Sequence, residues 1–122
     1  MSNYIDGFVL PIPRDKLSKY REVVEKVAAI WKEHGALDYR EYVGDDFSLA
    51  GTGSFIDGTK AKDDEVIIFG WATFESREVR DLINEKVASD PRMTSLVNPI
   101  TESSEPIFDA KRMMFGGFKP LL

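Results

Sequence analysis

The stretch Val66 to Phe74, VIIFGWATF, constrains this chain more than any other. Laid out as a strand it is apolar in both of its rows. Val66, Ile68, Gly70 and Ala72 form one, and Ile67, Phe69, Trp71 and Thr73 form the other. Such a strand needs cover on both sides. The small residues Gly70 and Ala72 predict a close helix on their side. Phe69 and Trp71 then face the other way, beside Phe8 and Leu10. Burying one large apolar side chain is worth about 1.5 to 3 kcal/mol, so a second layer over these aromatics is expected.

The remaining elements follow from periodicity and punctuation. Tyr4 to Ile12 reads as a strand with apolar residues in both rows, ended by Pro11 and Pro13. Over Arg14 to His34, Leu17, Tyr20, Val24, Val27, Ala28 and Trp31 recur at helical spacing, and His34-Gly35 is a stop signal. Ala36 to Val43 alternates more cleanly and carries more charge, as an edge strand does. Gly44 to Asp64 holds four glycines and no regular pattern. It is expected to be a long surface connection pinned by Phe47 and Phe55. Ser76 is the expected N-cap of a second helix, whose buried face is Val79, Leu82, Ile83 and Val87. Asp90-Pro91 interrupts that helix, and a short one follows from Pro91 to Val97. Asn98 to Pro106 is a loop, and Lys111 to Phe118 a last strand.

The order β-α-β-β-α-β is that of the ferredoxin-like unit, an α+β fold with a four-stranded antiparallel sheet and both helices on one face. Its central strands are the first and third, which are the most apolar strands here. The 122 residues make a single domain, 1–122, with one core. A two-fold homodimer, sheet against sheet, is the simplest cover for Phe69 and Trp71.

Four motifs in order, YIDGFVLPIP, WKEHGALDYRE, SDPRM and FDAKRMMFGGF, strongly resemble the YbaA-like family of unknown function over nearly the whole chain. The resemblance implies the dimeric α/β barrel superfamily, in which two ferredoxin-like subunits pack sheet on sheet. That superfamily includes cofactor-independent monooxygenases, haem-degrading enzymes, chlorite dismutases and proteins of no assigned activity. The resemblance supplies no catalytic residue to carry over.

Candidate chemistry therefore rests on single residues. Asp6 lies mid-strand among apolar neighbours and needs a partner, a proton or water. Arg112, on the neighbouring last strand, is the expected partner. Phe69 and Trp71 are expected to form a dimer core or the apolar wall of a pocket. His34, the sole histidine, is either a helix-end residue or a general base at the barrel mouth. Tyr39, Arg40 and Glu41 read as a solvated edge. One histidine without cysteine makes no zinc site of the usual composition, and no metal or cofactor is expected. No nucleophile motif is present.

Composition limits the partners. A net charge of −5 disfavours nucleic acid, and no run approaches the roughly 20 apolar residues of a membrane span. No cysteine and no signal-like start make the cytoplasm the expected location. The expected function is small-molecule binding by a homodimer, in a cavity between sheet and helices or partner. The alternative is a cofactor-independent, monooxygenase-like oxidoreductase acting on a small apolar or aromatic substrate.

Overall fold

The computed structural model describes residues 3–122. Strand β1 is Tyr4–Pro13, and a 3-10 turn, Arg14–Lys16, leads into α1, Leu17–Glu33. Then come β2 (Asp38–Val43), α2 (Phe55–Thr59), β3 (Glu65–Phe74), α3 (Arg77–Ala88), α4 (Pro91–Thr101) and β4 (Met114–Phe118). The strands form one antiparallel sheet in the order β2-β3-β1-β4, so the two most apolar strands are central, as expected of a ferredoxin-like sheet.

Local chemistry sets the helix ends. Gly35 takes φ +121 just past α1, which favours glycine. The Ser76 hydroxyl accepts the Val79 N–H at 3.1 Å at the start of α3. Asp90 does the same for α4, accepting the Arg92 N–H at 2.9 Å, with Pro91 in the first turn. Helices α1, α3 and α4 lie on one face of the sheet. Tyr20, Val23 and Val27 of α1 pack with Leu10, Ile12, Ile68 and Ile100, and α3 buries Ile83 and Val87 against Ala72 and Phe74.

Several expectations are corrected. Phe8 and Leu10 lie on the helix face, because β1 pairs Phe8 with Gly70 and Leu10 with Ile68, and opposed residues share a face. The outer row of β1 is Ile5, Gly7, Val9 and Pro11. Gly70 does not admit a helix: its missing side chain is filled by the Phe8 ring, whose Cζ would lie 2.6 Å from a Cβ there. Pro11 does not end β1, which runs on to Pro13. Strand β4 stops opposite Val9, so at Pro11 the far side of β1 has no ladder to break. Helix α4 runs past Val97 and through Pro99 to Thr101. The Ile100 carbonyl accepts the N–H groups of Ile107 and Phe108 at 2.9 and 3.0 Å, which ties the following loop back on the core.

The connection between β2 and β3 is not merely a surface loop. It carries the one-turn helix α2, capped by Ser54, and folds over the outer face of the sheet. Phe47 and Phe55 do pin it, through edge-to-face contacts Phe47–Phe55 and Phe55–Phe69 at 6.2 and 6.0 Å. The chain thus covers part of its own second face. Val9 and Ile67 are buried there, while Tyr42, Phe69, Met114 and Phe118 stay 42 to 56% exposed.

Candidate functional site

The register creates a hollow on the helix side. One row across the sheet runs Tyr39, Ala72, Asp6, Gly117, and the next runs Glu41, Gly70, Phe8, Phe115. In both rows the β3 residue is small and its β2 and β1 neighbours are large or charged. Ala72 therefore floors a trough between Tyr39 and Glu41 on one side and Asp6 and Phe8 on the other, while the Phe8 ring takes the space over Gly70. Helices α1 and α4 roof it with Val24, Val27, Trp31, Met93 and Val97, leaving a chamber of about 210 Å³. Its wall is aromatic in part: the Tyr39 ring lies 6.1 Å from Phe8 and 6.3 Å from Trp31.

Glu41 is the polar centre of this chamber. The alternation that points Arg40 outward points Tyr39 and Glu41 inward. Tyr20 of α1 donates its phenol hydrogen to Glu41 Oε1, and Tyr39 donates to Oε2 at 2.9 Å. The arginines near it in sequence are engaged elsewhere, Arg40 with Asp38 at 2.8 Å and Arg21 with Glu25 at 3.2 Å. Burial pushes the Glu41 carboxyl above the ordinary carboxylate range, against the pull of the two phenol hydrogen bonds. Burial, followed by the Glu41 charge, also pushes both phenols up. The Tyr20–Glu41–Tyr39 group also lines a second, outer hollow of about 470 Å³ between α1 and β2. It thus stands as the partition between the chamber and the surface.

Asp6 lies at the other end of the floor, with its side chain 4% exposed. Its partner is Arg80 of α3, with Nε 3.1 Å from Oδ1, and not Arg112. Asn84 Nδ2 donates to Oδ2 at 3.4 Å. The Oδ1 approach lacks hydrogen-bond alignment, so Oδ1 has no hydrogen-bond partner among the described residues. Arg80 also donates to the Tyr4 hydroxyl at 2.9 Å and lies over the Tyr4 ring. Burial pushes the Asp6 carboxyl up, and the Arg80 charge opposes it.

The structure does not bring the five candidate side chains together. Asp6 alone lines the chamber. Phe69 and Trp71 meet edge-to-face at 6.0 Å on the outer face, where Trp71 also stacks on Tyr42 at 5.4 Å. Arg112 forks onto Glu65 at 2.6 and 2.7 Å and holds Asp109 at 2.9 Å, tying the approach to β4 to the start of β3. His34 Nε2 meets Asp90 at 2.8 Å, joining the end of α1 to the cap of α4. Sequence reasoning set Tyr39 and Glu41 on a solvated edge and read Tyr20 only as part of an apolar helix face; the structure turns all three onto the chamber. The available signal was that Tyr39 and Glu41 share one row of β2, while Tyr20 lies on the buried face of α1 with a hydroxyl that needs a partner.

The family described as "Protein of unknown function (DUF1428)" matches residues 3–108. The chain belongs to this family. The uncharacterised protein YbaA of Escherichia coli K12 is 40% identical over 119 residues, spanning 98% of this chain and 97% of that one. Among solved structures, a NIPSNAP family protein of unknown function from Agrobacterium tumefaciens superposes with a TM-score of 0.54 at 20% identity, over 98% of this chain and 87% of its own. A dimeric ferredoxin-like protein from an uncultured marine organism gives 0.51 at 11% identity, over 100% and 96%. These likenesses establish the ferredoxin-like fold.

Proposed function

We propose that this DUF1428 protein binds a small, largely apolar molecule in the chamber between sheet and helices, and does so as a homodimer. The chamber carries the first half of this reading: an aromatic-walled space with a few converging polar groups is what small-ligand sites look like. Its volume of about 210 Å³ is small for such a site, so the ligand is small. The uncovered part of the outer face supports the dimer. Tyr42, Phe69, Met114 and Phe118 leave apolar surface exposed on this face, of the kind that marks an interaction surface. The marine structure that shares the fold is described as dimeric. Among the described residues no helix is long and apolar enough to cross a membrane. The acidic, cysteine-free composition suits a reducing cytoplasm without nucleic-acid partners.

A thermal-shift screen of small ring compounds tests the binding reading, because a ligand that prefers the native state raises its melting temperature. Val24 lines the chamber from α1. A Val24→Phe variant that folds but shows no ligand-induced shift supports occupancy of the chamber. A shift that survives this variant places the ligand elsewhere and defeats the reading.

A further inference from the structure

The chamber is acidic at two points and basic at none: Asp6 and Glu41 are the only charged residues among those lining it. Asp6 has a cation beside it in Arg80. Glu41 is held by two phenols and no cation. A carboxylate out of water is costly unless its charge is matched, and two neutral donors do not match it. Each of its oxygens accepts one phenol, and a carboxylate offers about four acceptor sites, so capacity remains for a further donor. Asp6 Oδ1, nine-tenths buried and lining the same floor, is a second acceptor without a hydrogen-bond partner. The two carboxylates in this space thus offer acceptor capacity, and Glu41 alone lacks a cation to match its charge.

The geometry points to a small protonated amine with a ring-sized apolar body as the ligand, its ammonium group on Glu41 and its body against Ala72 and the aromatic wall. This assignment rests on the binding reading above and names the ligand's class. Three observations favour an amine over other head groups. An anion would meet two carboxylates and no lysine or arginine in the lining. A neutral hydroxyl would use the spare acceptor sites but leave the Glu41 charge unmatched. A cation matches that charge, and Phe8, Tyr39 and Trp31 supply an aromatic lining to the same space. The size agrees, since an apolar cavity of about 150 Å³ holds benzene and this one is larger by the room for a short side chain. The raised carboxyl of Glu41 is consistent with this, since an arriving cation favours the charged form that burial disfavours.

Three probes with one body and different heads test it on the whole chain at pH 7.5: 2-phenylethylamine, 2-phenylethanol and 3-phenylpropionate, by thermal shift and calorimetric titration. The expected order is amine first, bound about tenfold or more tighter than the alcohol, with no shift from the acid. Glu41→Gln is expected to erase the amine's advantage and leave the alcohol unchanged. If the alcohol equals the amine, or the acid binds best, the amine assignment is overturned while the chamber reading stands. If none of the three binds, both are overturned. An amine preference that survives Glu41→Gln removes Glu41 as the anchor. Should that variant fail to fold, the ranking of the three heads on the wild-type chain still decides the class.

Discussion

Replacing Gly70 with alanine tests, with one methyl group, the seating of the Phe8 ring that walls the chamber. An ideal Cβ at Gly70 would lie 2.6 Å from Phe8 Cζ and 2.7 Å from the backbone oxygen of Arg40. Phe8 can give way by swinging its ring toward the chamber it lines. The Arg40 oxygen belongs to β2, which is paired to β3 through Glu41 and Gly70, and it moves only if that ladder opens. Overpacking of this kind costs about 1 to 3 kcal/mol. Alanine restricts the unfolded chain and returns about 0.4 to 1 kcal/mol. A net loss of about 1 to 2 kcal/mol is expected, which lowers the melting temperature of a domain of this size by about 4 to 10 °C. Urea denaturation followed by tryptophan fluorescence measures it, because Trp31 on the helix side and Trp71 on the outer side both change environment on unfolding. The same variant should weaken binding of any chamber ligand through the displaced Phe8 ring. A Gly70→Ala protein as stable as the wild type would refute the close seating of Phe8 and the Arg40 carbonyl over Gly70.

Three further outcomes are expected. Burial raises the folded-state pKa of Glu41, so its proton favours the fold: that contribution is full below the ordinary glutamate range and is lost as pH rises through the folded-state value. Ligand-free Glu41→Gln should therefore be at least as stable as wild type at pH 8, with the difference shrinking toward pH 4 in urea titrations; a deficit that grows with pH would contradict this. Arg112→Ala leaves the Glu65 carboxylate, whose side chain is 4% exposed, with the Lys62 N–H but no cation, and should cost about 1.5 to 3 kcal/mol, part of which Glu65→Gln restores in the double variant. Arg112 holds the Glu65 carboxyl below its ordinary range, so this stabilisation is present above that range and fades as pH falls through the lowered value. Phe69→Asp places a charge in the exposed outer patch and should shift sedimentation from dimer to monomer at micromolar concentration; a wild type that is already monomeric there defeats the dimer.

The fold was legible because each element carried its own signal. Ser76, Gly35 and Pro91 mark helix ends through local hydrogen bonding and φ preference, which need no knowledge of the rest of the chain. The central placement of β1 and β3 follows from their two apolar rows. Facing was harder. Phe8 and Leu10 could be assigned to a face only through their register with Gly70 and Ile68, and register is a relation between distant segments. Helix α2 was hidden because five residues with Gly58 inside have little helical propensity; it forms where Phe55 can rest on Phe69. For the site, Asp6 was legible as a buried charge, but its partner was not. Arg112 and Arg80 both suited the role, and only the packing of α3 against the end of β1 selects Arg80.

Glu41 shows why an edge strand is read wrongly from charge alone. Charges on β2 suggest solvent, and for Asp38 and Arg40, which pair with each other on the outer row, solvent is where they are. One residue past Arg40, the same alternation turns Glu41 inward, where α1 supplies Tyr20 as a donor. Small residues in β3 then decide what surrounds it. Had position 72 carried the isoleucine of position 68, the trough would be filled and Glu41 would face packed methyl groups, with only its two phenols and the outer hollow to offset its charge. The same position that makes room for a ligand makes a carboxylate without a cation tolerable, because the room is where a matching charge can come. The chamber and the carboxylate are therefore one feature, and a substitution such as Ala72→Leu should destabilise the wild type more than it destabilises Glu41→Gln. Equal losses in the two backgrounds, measured by urea denaturation, would separate them.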